Sequence, residues 1–123
     1  MTLTAAQIRC LMAILSLTCM HEEVASKNVA KLMGVSRPSV HKMLEILIRE
    51  GLLEKEHYGA ARLTAEGQRL AEELQERQER LMLMFARQYG LDMDESSLAA
   101  TLLMSGLKKE SLEKLCPMER ECP

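Results

Sequence analysis

Lys27-Asn28-Val29-Ala30-Lys31-Leu32-Met33-Gly34-Val35-Ser36-Arg37-Pro38-Ser39-Val40 is the stretch on which the fold turns. Val29, Ala30, Leu32 and Met33 recur with helical period, in a short helix that begins near Ser26, whose hydroxyl suits a cap. Gly34 stops that helix, because glycine enters the left-handed region without a steric penalty. Ser36 caps the next helix, and Pro38 sits in its first turn, where a missing N–H costs nothing. Val35 staples onto Val40. Val40, Met43, Leu44, Leu47 and Ile48 form a buried stripe up to Gly51. Two helices around a Gly-centred turn are a helix-turn-helix unit.

The residues after Gly51 sharpen that assignment. Leu52-Leu53-Glu54-Lys55-Glu56-His57-Tyr58-Gly59-Ala60-Ala61-Arg62-Leu63 reads as two short strands around Tyr58–Gly59, then Thr64 caps a helix. A hairpin directly after a recognition helix is a wing. Upstream, Thr4 and Gln7 form a capping box, Leu3 staples onto Ile8, and Ile8, Leu11, Met12 and Leu15 continue a helix to about Met20. Downstream, one long helix runs from Thr64 to about Tyr89. Leu70, Ala71, Leu74, Leu81 and Phe85 line one side, Gln75 to Arg80 reads as a solvated polar stretch, and Gly90 closes the helix. Asp94 caps a further helix that is apolar nearly all round, and a last one runs from Lys108 to Leu115 and stops at Pro117. The expected fold is mainly α: a winged helix-turn-helix with a small β-hairpin wing at 1–63, a helical dimerisation region at 64–115 and a flexible C-terminal tail at 116–123. In a chain this short, the second-last helix finds burial most simply between subunits, so Leu98, Leu102 and Leu103 are assigned to a homodimer interface.

Bulk properties agree. Among 123 residues, 47% are hydrophobic, 28% charged and only 2% aromatic, so the core must be aliphatic and methionine-rich. Neither a signal peptide nor a transmembrane run is visible, which points to the cytoplasm, no membrane partner and reduced cysteines. Residues 1–63 carry eight Lys/Arg against six Asp/Glu, and residues 64–123 carry eight against twelve. A mildly basic half joined to an acidic half suits a nucleic-acid reader with a separate assembly module. There is no nucleophile–base–acid set or Gly-rich phosphate loop, so the chain does not read as an enzyme.

Stepping 100° per residue from Val40 puts Pro38, Lys42, Glu45 and Arg49 opposite the core stripe, flanked by Ser39 and His41. In a helix-turn-helix this face enters the major groove. Arg37 and Lys42 suit guanine edges or phosphate, Glu45 a cytosine amine, and Pro38 a thymine methyl. Ser36 and Ser39 suit phosphate, and Lys55, His57 and Arg62 put polar and cationic groups on the wing. The plainer reading of the same face is an ordinary solvated helix surface.

From Lys27 to Val40, then Leu44, Leu47, Glu50-Gly51-Leu52-Leu53 and Leu63-Thr64-Ala65-Glu66-Gly67, the chain resembles the iron- and manganese-dependent repressors of the diphtheria-toxin-repressor family. Glu79-Arg80-Leu81, Tyr89-Gly90-Leu91 and Ser111-Leu112-Glu113-Lys114-Leu115 extend the likeness over about residues 5–115. The barrel-like third domain of some members is not expected in these residues. The resemblance implies a homodimeric transcriptional regulator that binds a palindromic double-stranded DNA operator when a divalent transition metal bridges its two domains. The family's metal positions depart here. Glu79 stands where a histidine is usual. On the dimer helix, one register gives Thr101, Met104 and Ser105, and the other gives Leu98, Thr101 and Leu102. The N-terminal region offers Arg9, Cys10 and Met12. None of these is a hard-metal set. The expectation is a regulator without the standard iron or manganese switch. A rebuilt soft site from Cys10, Met12, Met104 and Glu79, a thiol sensor at Cys116 and Cys122, and a winged helix that binds protein instead of DNA stand as alternatives. The plain reading of the Met and Cys residues is core filler, and of the tail a frayed terminus.

Overall fold

A computed structural model describes residues 3–19, 23–55 and 60–117. The elements run α1 (Ala5–Thr18), β1 (Val24–Ala25), α2 (Ser26–Met33), α3 (Arg37–Arg49), β2 (Leu53–Lys55), β3 (Ala60–Leu63), α4 (Ala65–Tyr89), α5 (Met93–Gly106) and α6 (Lys109–Leu115). They divide into two compact units, one comprising Ala6–Glu73 and the other Met1–Ala5 with Leu74–Pro123.

In the first unit, α2 ends at Gly34 with φ 72° and its N–H returned to the Ala30 carbonyl. Ser36 caps α3 by accepting from the Ser39 N–H, with Pro38 in the first turn. Ile8, Leu11, Ile14, Val29, Val40, Leu47 and Leu52 are the large side chains withdrawn from water. α1 ends at Thr18, whose hydroxyl donates 2.7 Å back to the Ile14 carbonyl. Such back-bonding competes with the helical ladder. Met20, where this helix was expected to end, lies outside the described residues.

Two expectations for this unit need correction. The hairpin is not alone: β1 pairs antiparallel with β3, Val24 opposite Ala61, so the sheet has the order β1-β3-β2. Ser26 is not the cap of α2. Ala25 holds that place without a side-chain bond, while Ser26 is buried and its hydroxyl meets His41 Nε2 at 3.1 Å.

The exit from the wing is tightly built. Thr64 accepts from the Gly67 N–H at 3.0 Å, capping α4, and donates to the Gly51 carbonyl at 2.7 Å. The same side chain therefore ties the end of α3 to the start of α4. Gly67 is needed there because a β-carbon would collide with the Leu52 carbonyl oxygen and lie 2.9 Å from its carbon.

In the second unit, the polar stretch Gln75 to Arg80 is not simply solvated. Arg77 is 4% exposed, and its Nη2 donates 2.8 Å to Glu113 of α6. Its Nη1 has no partner among the described residues. Gln78 donates to the Thr101 hydroxyl at 3.1 Å. α4 thus meets α5 and α6 through polar groups as well as through Leu81, Ala100, Met104 and Leu112, all buried. The cap of α5 is Asp92, which accepts from the Glu95 N–H, and not Asp94, which lies in the first turn. Among the described residues, no helix is long and apolar enough to cross a membrane.

Candidate nucleic-acid interface

α3 presents two chemically distinct faces. Val40, Leu44 and Leu47 are buried, while Ser36, Arg37, Pro38, Ser39, His41, Lys42, Glu45 and Arg49 lie on the outward side. The cap gives this surface its leading edge, with the Ser36 hydroxyl also donating 3.0 Å to that of Ser39. Both serines stand at the N-terminus of α3, where helix N–H groups and dipole favour an anion.

Lys55 and Arg62 do not lie on one face of the sheet. Lys55 is opposite Ala61 and Glu54 opposite Arg62 across the β2–β3 ladder. Strand alternation sends these two pairs to opposite faces of the sheet. Lys55 turns toward α3, and with His41 and Glu45 it lines a cleft of about 450 Å³. Arg62 lies 3.9 Å from Glu54 on the other face. His57 lies outside the described residues.

His41 has a second attachment that the helical wheel does not reveal. Its bond to Ser26 pins the second turn of α3 to the start of α2. Arg49 also lines the cleft, one turn beyond Glu45. The i, i+4 spacing of His41, Glu45 and Arg49 was the available signal for this shared surface.

Charge pairing separates the cations of the molecule. Arg69 pairs with Glu66 and Glu73, Arg77 with Glu113, and Arg80 with Glu76. Arg37, Lys42, Arg49 and Lys55 have no ion-pair partner among the described residues. Among the described residues, three of the four α4 cations are thus paired, Arg87 being the exception, whereas the cations of α3 and β2, like Arg9, Lys27 and Lys31, have no carboxylate within ion-pair distance.

The positions that the resemblance ties to a metal hold a different chemistry. Thr101 donates to the Ser97 carbonyl at 2.9 Å and accepts from Gln78, and Ser105 donates to the Leu102 carbonyl at 2.9 Å. Glu79 is exposed, Met104 is buried and Met12 is half-buried. Cys10 is wholly buried, and that burial pushes its thiol up to about 11, away from the thiolate that binds metal. Among the described residues, no three of His, Cys, Asp and Glu gather in one place. These residues do not fit an iron or manganese ion, which requires several carboxylate or imidazole donors. Cys19 is exposed and Cys116 half-buried, while Cys122 lies outside the described residues.

Residues 3–61 match the family described as iron dependent repressor, N-terminal DNA binding domain. Over 55 residues the chain is 44% identical to the transcriptional regulator MntR of Escherichia coli O6:H1, covering 45% of this chain and 36% of that protein. The manganese regulator SloR superposes with a TM-score of 0.76 at 27% identity, over 94% of this chain and 54% of that one. A hypothetical protein of Sulfolobus solfataricus shares the fold over 98% of this chain and 99% of its own, with a TM-score of 0.69 and 21% identity. The chain spans about a third of the length of the curated relative and about half of SloR.

Proposed function

We propose that this chain, whose residues 3–61 match the iron dependent repressor N-terminal DNA binding domain, regulates transcription by binding a palindromic operator as a homodimer. The observation that carries this reading is the row of cations on the outward face of α3 and on β2 that have no ion-pair partner among the described residues. A DNA-binding surface must offer charge to phosphates, and charge already held by carboxylates cannot be given twice. The first half of α3, from Ser36 to Glu45, would read the major groove, and Lys55 would hold the flanking backbone. Leu98, Leu102 and Leu103 would form the subunit contact.

The standard iron or manganese switch is not part of this proposal. Thr101, at one of the positions where a ligand would be needed, already accepts from Gln78 and donates to the Ser97 carbonyl. DNA affinity should therefore be indifferent to manganese, iron(II) and chelator. The test is a fluorescence-anisotropy titration of a mixed-sequence duplex over a salt series, with and without manganese. Binding should weaken steeply with salt and be unchanged by the metal. Absence of salt-dependent binding would favour a protein-interaction module. A stoichiometric metal requirement would overturn the loss of the switch.

A further inference from the structure

We propose that the cleft between α3 and the wing binds a small amphipathic organic anion, an aryl or alkyl chain ending in carboxylate or sulfonate, and that this occupant excludes DNA. The second clause rests on the function proposed above; the first does not.

The floor is apolar, made by Leu44 and Ile48 of α3 and by Ala60 and Ala61 of β3. Its volume of about 450 Å³ lies in the range of small-molecule sites. Arg49 and Lys55 stand at the rim with no ion-pair partner among the described residues, against the single carboxylate of Glu45. An incoming acid therefore meets two uncommitted cations above a surface able to take its hydrocarbon body. The phosphate groups of DNA match the cations but not the apolar floor beneath them.

The walls are held in advance of any ligand. β3 is bonded on both sides, to β1 and β2, and His41 is pinned by Ser26. Preorganisation of this kind reduces the cost of binding. His41, Glu45 and Lys55 belong both to the cleft and to the surface assigned to DNA, so the two ligands compete for the same side chains.

The test is a fluorescence titration of the full chain with anilinonaphthalene sulfonate. Saturation at one probe per chain is expected, with amide shifts centred on His41, Lys55 and Ala61. Ile48→Glu, at a half-buried position on the floor, should put a carboxylate against the anion and abolish binding while circular dichroism stays unchanged. Arg49→Gln should weaken the probe roughly two- to fivefold, the scale of an exposed charge pair. Octanoate should displace the probe, whereas uncharged phenylnaphthylamine should bind more weakly than the sulfonate. Equal binding of charged and uncharged probes, or indifference to Ile48→Glu, would overturn the site. A probe that fills the cleft without displacing a DNA duplex would leave the site standing and overturn the DNA-face assignment instead.

Discussion

Arg77, in the middle of a polar run on α4, is buried and donates 2.8 Å to Glu113 of α6. Taking a guanidinium out of water is costly, and the carboxylate offsets that cost only while it is present. Glu113→Ala is expected to lower stability by about 1–3 kcal/mol, toward the lower side because that carboxylate is partly solvated. Arg77→Met combined with Glu113→Leu should recover most of the loss, since it removes the charge that needs a partner. Urea unfolding of the two variants checks this; a neutral Glu113→Ala would mean that the pair contributes nothing.

Gly67 carries a different demand. It lies in the first turn of α4 against the Leu52 carbonyl, in a place where neither backbone can retreat without loosening the Thr64 bonds to Gly51 and Gly67. Alanine is ordinarily the better helix former. Here Gly67→Ala is expected to destabilise by about 1–3 kcal/mol, as overpacking does elsewhere. A rise in thermal midpoint would show that the contact is not close.

These two residues also mark how far the chain can be read without coordinates. Gly34, Ser36 and Pro38 act through neighbours a few residues away, so the helix-turn-helix and the exposed face of α3 were legible from local chemistry. Arg77 depends on a partner 36 residues downstream, and helical periodicity treats any charge as solvent-facing. β1 is only two residues long and exists because β3 has a free edge, a pairing with no local signature. Asp92 and Asp94 are equally good caps by type, and only the backbone decides between them. Ser26 illustrates the same point: a serine near a helix start usually caps it, but this one is buried and its hydroxyl is bonded to His41.

The sheet geometry separates the two wing cations in function. Lys55 faces α3 with no ion-pair partner among the described residues, whereas Arg62 faces away beside Glu54. Lys55→Ala should weaken binding to all duplexes alike and reduce the slope of log K against log salt by about 1. Arg62→Ala should leave the slope nearly unchanged. Anisotropy titrations over a salt series distinguish them, and equal effects would place both side chains on the DNA.

Cys10 lies wholly within the protein, and desolvation raises its thiol to about 11 from an ordinary value of 9.0. The folded form then holds its proton more tightly than the unfolded chain does. Stability from this group is complete below about pH 9 and is lost as the pH rises toward 11, a fall on the order of 2 kcal/mol. Cys10→Ala should remove that alkaline decline, as read from denaturant midpoints between these pH values. At neutral pH the Cys10 thiol should resist Ellman's reagent until the chain unfolds, while Cys19 reacts. Prompt modification of Cys10 in the native protein would contradict its burial.

Leu98 and Leu102 lie one turn apart on α5 and are 59% and 53% exposed, while Ala100, Thr101 and Met104 on the same helix are buried. The helix therefore uses one side to fold and leaves the other side greasy. Covering a leucine is worth about 1.5–3 kcal/mol, so the two residues supply a substantial part of what a stable contact between copies needs. A charge at Leu102 is tolerated in a single chain, where the position meets water, but not when a second copy covers it. Leu102→Asp should therefore give a monomer with unchanged helical content. Leu103 is half-buried within its own chain, so Leu103→Asp should lower the thermal midpoint as well as dissociate the dimer. Sedimentation velocity alongside circular dichroism separates the two effects. A wild-type chain that sediments as a monomer at micromolar concentration, or a Leu102→Asp variant that remains a dimer, would remove α5 from the subunit interface.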